Sequence, residues 1–307
     1  MSDRNLSDAG LLDARVVPLR RPGQWVSAAV VVVLLALAVR TLFTNPRFQW
    51  PVVWRYFTTA PILNGLVLTL WLTAAVMVCG YVLGAVLAVM RLSRNPVLRS
   101  VSFGYVWLVR SVPPLVQLLF WYELASLYPE LSLGIPFGPT FVTVKTAHLF
   151  TGLLAAFVGL TLDVAAFSSE VIRGGILSVE RGQLEAAQAL GIGPARIFRR
   201  IVLPQAMPAI VPATGNMLIA MLKATSIVSV IAVQDLLYSV QLIYNQNFLI
   251  IPLLLVATIW YILLTTVLSI GQYYVERHYA RGRRGPRRLL AITRANLPLF
   301  RQLPGIS

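Results

Sequence analysis

Four ionisable residues stand inside or beside long apolar stretches of this chain, and they are the first candidates for chemistry: Arg110, Asp163, Glu170 and Lys223. A charge at the centre of a bilayer costs on the order of 2.5–3.5 kcal/mol on insertion scales, so such residues face a bundle interior and have partners. Two readings of them are open. In one, Asp163 pairs with Lys223, and Glu170 with Arg173 three residues on, as structural ion pairs. In the other, Asp163 or Lys223 lines a path through the membrane and supplies the polar contacts a solute needs when it loses its hydration. Glu170 and Arg173 fall at the end of their apolar stretch, where they serve as a brace for the segment that follows. Bond-making chemistry finds little to work with. Cys79 is the single cysteine, which excludes a disulfide framework or a multi-cysteine metal site. His148 and His278 lie far apart and offer no clustered ligands. The two lysines, Lys145 and Lys223, do not follow glycine, so no G-x-x-x-x-G-K-[ST] phosphate loop exists and ATP hydrolysis by that route is excluded.

The elements that must carry these residues follow from composition. Of 307 residues, 57% are hydrophobic and 12% charged, against roughly 25% charged in soluble domains. That leaves too little polar surface to cover a water-soluble globule. A helix crossing the hydrocarbon core needs about 20 mostly apolar residues. Six stretches qualify: 25–43, 62–90, 98–127 (interrupted by Pro113-Pro114), 148–172, 208–233 and 248–274. The expected fold is therefore all-α, a polytopic integral membrane protein with six transmembrane helices. Pro113-Pro114 marks either an ordinary kink or a hinge or unwound pathway segment, and Pro208 and Pro212 mark ordinary span starts and kinks. Gly80 and Gly84 form a G-x-x-x-G step for close helix packing. Trp50, Trp54, Tyr56, Trp107, Trp121 and Tyr122 read as interfacial anchors.

Basic residues set the orientation. Twenty lie in one alternating set of connections and both tails, only Arg47, Arg55 and Lys145 in the opposite set, and Arg40, Arg110 and Lys223 fall inside predicted spans. Both termini are thus expected in the cytoplasm, and the formal charge of +15 is a topology signal rather than a sign of nucleic-acid binding. The first span has a long charged leader and no small-residue cleavage site, so it reads as a retained anchor. The outer connection 128–147 holds Pro129, Gly134, Pro136, Gly138 and Pro139 and reads as turn-rich and exposed.

The inner connection 174–205 reads as ordered. Residues 178–191 are compatible with helix, which Gly191 and Gly193-Pro194 stop. A second short helix from Pro194 sets Ile197, Phe198 and Ile201 apart from Arg196, Arg199 and Arg200 until Pro204 ends it. The pair makes either a compact knob that another protein's backbone approaches closely, with Glu185 as a fixed charge, or an amphipathic hairpin lying on the membrane surface.

Glu185-Ala186-Ala187, Gly191, Ile201, Leu203 and Pro204, at their spacing, resemble the EAA loop of ABC importer membrane subunits. The stretches Ala165-Ala166-Phe167, Glu170 to Ile176 and Leu203-Pro204-Gln205-Ala206 resemble the polar amino acid branch of that family. So do Leu222-Lys223 with Thr225-Ser226, and Arg110 followed by Pro113 and Leu115-Val116-Gln117. The resemblance spans about 62–277. The chain departs from the family pattern at Ala224, where Asp or Asn is common, and at Ser111-Val112, where Gly-Thr is common. It implies a type I ABC importer transmembrane domain and a permease subunit that imports a polar amino acid across the bacterial cytoplasmic (inner) membrane. Two ATP-binding cassette subunits would dock on the loop through Glu185, Ala186, Ala187 and Gly191, with Ile201, Leu203 and Pro204 behind them. Those subunits would bind ATP and Mg, and this chain would bind no cofactor and no metal. A second permease copy or a sister permease, an extracytoplasmic amino acid binding protein and membrane lipid complete the expected partners. Asp163, Lys223, Thr225, Ser226 and Arg110 become the candidate substrate pathway.

The organisation expected is a cytoplasmic tail (1–24), an extra helix and outer loop (25–61), the importer domain (62–275, with its coupling loop at 176–205) and a basic cytoplasmic tail (276–307). The tail's arginines, interleaved with Leu289, Leu290, Ile292, Leu297 and Phe300, either lie on the anionic inner leaflet or stay disordered. The rival function is a self-sufficient channel or secondary transporter using Asp163, Glu170 and Lys223 as an ion relay.

Overall fold

A computed structural model describes residues 22–134 and 140–280. The two tails' basic residues at 4–21 and 281–301, and Pro136, Gly138 and Pro139, lie outside the described residues. The chain divides into units 1–50 and 51–307.

In the first unit, α1 (Pro22–Thr44) is apolar on every side and exposed along its described length, as suits a helix whose solvent is lipid. Trp50 folds back on its end, donating its indole N–H to Leu42 O at 3.0 Å and stacking on Phe43 at 5.7 Å. The indole N–H is thereby satisfied beside an apolar helix end.

The second unit begins with α2 (Trp50–Phe57), a short helix where an outer loop was expected. The long α3 (Ala60–Leu92) follows. Asn95 and Pro96 then start α4 (Pro96–Ser111), the Asn95 side chain accepting from the Val97 N–H at 2.9 Å. Past Pro113, α5 (Pro114–Tyr122) turns away from α4 by 100°. The expected third span is thus not one interrupted rod but a sharply bent pair. The cause is local: Pro113 and Pro114 lack N–H groups, and the Gln117 amide covers the freed backbone by donating to Val109 O (2.7 Å) and Val112 O (2.8 Å). Among the described residues five helices are long and apolar enough to span a membrane, and counting the bent pair as one more gives six.

After α6 (Leu124–Leu127), the expected irregular connection is an antiparallel hairpin, β1 (Glu130–Gly134) with β2 (Thr140–Lys145), Glu130 facing Lys145. The β-branched and aromatic run Thr140-Phe141-Val142-Thr143-Val144 favours strand, a signal the nearby prolines and glycines obscure. A short α7 (Thr146–Leu149) leads to α8 (Gly152–Leu177), capped by the Thr151 hydroxyl.

The packing of α8 against α3 organises the bundle. A Cβ at Gly80 would fall on the Val164 side chain, and one at Gly84 on the Ser168 hydroxyl. The glycines therefore let two helices approach to backbone contact, as their spacing predicts, and Ser168 donates to Gly80 O at 3.2 Å. Leu72, Val76, Leu118, Leu160, Val164 and Met221 form the core around this seam. Trp121 belongs to that core, stacked near Phe150 at 6.5 Å and set against Gly159, so it packs inside rather than anchoring at an interface.

Beyond α8, α9 (Arg181–Ala189) turns into α10 (Pro194–Ile197), a π-helical turn (Phe198–Val202) and α11 (Leu203–Ala224) without a break. Pro204 therefore does not end a helix, and Pro208 lies inside one. The π-turn explains this. It shifts the Leu203 N–H back to Phe198 O, so the ladder has changed register where Pro204 offers no donor. A 3₁₀ segment (Thr225–Ile231) leads to α12 (Leu236–Asn247), and α13 (Ile250–Ala280) closes the unit. Trp260 ties α13 to α2, donating to Phe57 O at 3.0 Å and stacking on Phe57 at 4.6 Å.

Candidate functional site

Residues singled out from the sequence fall in three places. The first is the elbow between α9 and α10. Glu185 and Ala186 are exposed on α9, while Ala187 turns inward, 4% exposed, against Ile197 and Val202. Gly191 has φ +68° and ends α9 in a double-bonded turn: its N–H donates to Gln188 O at 2.9 Å, and the Ile192 N–H to Ala187 O at 3.1 Å. That pattern needs a left-handed residue, which glycine adopts without a Cβ penalty. Ile192, Leu184 and Ile201 pack on the same small core, which continues through Ala206 and Ile210 into α11. Gln205 donates to Gln183 across the elbow at 2.5 Å. Leu203 is exposed at the start of α11, and Pro204 lies beside it. The elbow is thus locked to a membrane-spanning helix, with Leu190, 79% exposed, at its tip.

The second place is a stripe along α8. Asp163, Phe167 and Glu170 recur at helical spacing on the side that faces α4. Arg173 binds Glu170 with two nitrogens, Nη2–Oε2 2.6 Å and Nε–Oε2 3.1 Å. Arg110 stands over the Phe167 ring at 4.9 Å, and Arg91 over the Phe103 ring at 4.4 Å. Tyr105 donates to Leu162 O at 2.8 Å, fixing α4 on α8. Asp163 is buried, 9% exposed, and the charge that acts on it is Arg110. It does not pair with Lys223, which is exposed on α11. Arg173–Glu170 is the one ion pair among the described residues. The expected Asp163–Lys223 bridge is therefore absent, and no hydrogen bond links Asp163, Glu170 and Lys223 into a relay among the described residues.

The third place surrounds the end of α11. Thr225 is buried and donates to Leu222 O at 2.7 Å, while Ser226 donates to Lys223 O at 2.7 Å. Both hydroxyls answer carbonyls released where α-helix gives way to 3₁₀. Near them lies Asp235, which sequence reading passed over. It is fully buried, and its Oδ1 accepts from the Tyr238 N–H at 2.8 Å as the cap of α12. Its Oδ2 and the buried Tyr261 hydroxyl lie near enough to act on each other, and among the described residues neither completes a hydrogen bond of ordinary geometry. The Leu236 N–H donates to the Thr69 hydroxyl at 3.0 Å, tying the cap to α3. Burial pushes the Asp235 carboxyl up to about 6, against the pull of the helix-start N–H groups. The available signal was the cap pattern itself, an Asp before an apolar helical run.

The described residues form a multi-span helical bundle with an elbow packed against one of its helices, and hold no group of three His, Cys, Asp or Glu able to bind a metal. Residues 80–281 match the family described as the binding-protein-dependent transport system inner membrane component, and the chain belongs to that family. It is 42% identical over 268 residues to the arginine transport system permease protein ArgU of Corynebacterium glutamicum, covering 86% of this chain and 83% of that one. It is 33% identical to the nopaline transport system permease protein NocM of Agrobacterium fabrum, covering 68% and 86%. The crystal structure of an amino acid ABC transporter with histidines superposes with a TM-score of 0.63 at 31% identity, covering 75% and 98%. The inward-facing methionine transporter MetNI shares the fold, with a TM-score of 0.55 at 21% identity over 71% and 96%.

Proposed function

We propose that this chain is the permease subunit of an ATP-driven importer of a polar amino acid. An extracytoplasmic binding protein delivers the amino acid, and two ATP-binding cassette subunits, which hold the ATP and Mg, drive the cycle. Two permease chains, identical or sisters, enclose the path. The elbow faces the cytoplasm, as do both termini, in a bacterial cytoplasmic membrane. The observation that carries this reading is mechanical. Glu185 and Ala186 are presented outward on a helix that Gly191, the Gln183–Gln205 bond and a shared core fix to α11. A partner that moves Glu185 thereby moves a span. The names of the relatives, arginine and nopaline permeases among them, support an amino acid as the solute.

Within this scheme Glu170–Arg173 braces the end of α8 where it feeds the elbow. Asp163, Arg110 and Lys223 supply charge along the path, with Thr225 and Ser226 at the break in α11. The reading is tested by isolating the tagged chain from native membranes and identifying what copurifies. An ATP-binding cassette subunit is expected, and its absence would remove the reading.

A further inference from the structure

An open charged groove of about 330 Å³ between α3, α4 and α8 is lined by Arg91, Phe103, Trp107, Arg110, Ser111 and Glu170. Its charges do not balance. The Glu170 carboxylate is engaged by Arg173 at 2.6 Å, and among the described residues neither Arg91 nor Arg110 has a carboxylate within 4.0 Å. Each is instead held over an aromatic ring, Phe103 or Phe167. Arg91 Nη1 is sealed from solvent and has no hydrogen-bond partner among the described residues. The Ser111 hydroxyl is spent on Trp107 O at 2.6 Å. Arg91, Arg110 and Arg173 all act on Glu170, and Arg110 acts on Asp163 further along α8. Three guanidinium groups thus meet two carboxyl groups, leaving a surplus of one positive charge.

A buried donor without an acceptor is unfavourable, and three guanidinium groups crowded at the ends of these helices repel one another unless an anion lies among them. Two planar guanidinium groups held on rings offer parallel N–H donors suited to a carboxylate. The Glu170 charge at the rim disfavours a dianion. We propose that Arg91 and Arg110 form a seat for a single monoanionic group, the α-carboxylate of the amino acid in transit. This rests on the proposed function, and it assigns a binding role to Arg91, which lies outside the candidate pathway set of Asp163, Lys223, Thr225, Ser226 and Arg110.

The test uses the complete transporter, with its copurifying ATPase subunits, in lipid nanodiscs. Binding of L-arginine, L-glutamine, L-glutamate and L-histidine is compared with binding of their α-carboxamides. For whichever amino acid binds, Arg91→Met and Arg110→Met are each expected to weaken binding about tenfold or more, as loss of a charge-assisted hydrogen bond does. The matching amide should bind the wild type about as weakly and lose nothing further in the variants, because the residue and the carboxylate form one interaction. Arg91→Lys should retain part of the affinity, and it serves where Arg91→Met fails to assemble. Equal losses for acid and amide would assign the arginines a structural role and overturn the proposal. Unchanged amino acid binding, with loss of a copurifying anionic phospholipid in native mass spectrometry, would give the seat to a lipid phosphate and also overturn it. If the wild type bound none of the four amino acids, the functional reading would fail and this inference with it. If it bound them and the variants bound equally well, only this inference would fail.

Discussion

Asp235 shows how a single buried carboxyl reads out pH. Its folded-state value is raised to about 6 by burial, above the ordinary carboxylate range. A raised carboxyl favours the folded state fully below its unfolded value, and that contribution is lost as pH rises from about 4 through about 6. Replacing it with asparagine keeps an oxygen for the Tyr238 N–H and removes the ionisation. Asp235→Asn is therefore expected to raise thermal stability at pH 7.5, by about 1–3 kcal/mol, and to leave it unchanged near pH 4. Melting of the detergent-solubilised protein at the two pH values checks this, and equal shifts at both would contradict it. The residue was hard to find in the sequence because Gln234-Asp235 reads as a loop polar pair. Only the packing of Thr69, Gly65 and Tyr261 around it shows that it is enclosed. The Glu170–Arg173 pair was legible because three-residue spacing alone brings the groups together on one helix. The Asp163–Lys223 pair was not, since bringing them together depends on how two apolar helices are rotated, and an apolar run fixes no rotation.

At the scale of elements, the bend after α4 and the turn after α9 are each held by one residue. Gln117 covers carbonyls that the two prolines leave free, so Gln117→Leu should cost about 1–3 kcal/mol by stranding them. Lower thermal stability with normal membrane insertion is the expected result. Gly191 holds φ +68°, so Gly191→Ala should cost about 1 kcal/mol or more in the left-handed region. It should loosen the elbow and weaken ATP-coupled uptake without lowering expression, and an unimpaired variant would show that the turn's rigidity is unimportant. The α3–α8 seam was legible, because Gly80-x-x-x-Gly84 permits close approach wherever it faces a helix. Gly84→Leu should disrupt that seam, since even one added carbon collides with Ser168. The hairpin and the passage through Pro204 were less visible. Prolines and glycines speak for irregular chain at one, and a π-turn absorbs the expected break at the other.

For the whole molecule, apolar length and the distribution of arginine indicated a multi-span helical protein before any contact was known. Five helices qualify as spans, or six with the bent pair. The sequence could not say how the elbow is joined to the bundle. The structure shows a continuous helical path from Pro194 to Ala224 and a core shared by α8, α9 and α11. In the proposed importer, a partner's pull on Glu185 would pass along this packed path into the membrane. The most direct measurement of that claim is amino acid uptake into proteoliposomes holding this chain with and without its ATPase subunits, in wild-type and Glu185→Lys forms. The account predicts ATP-dependent uptake only with both components present, abolished by Glu185→Lys although the chain still inserts. Uptake by this chain alone, or undiminished ATP-driven uptake with Glu185→Lys, would contradict it.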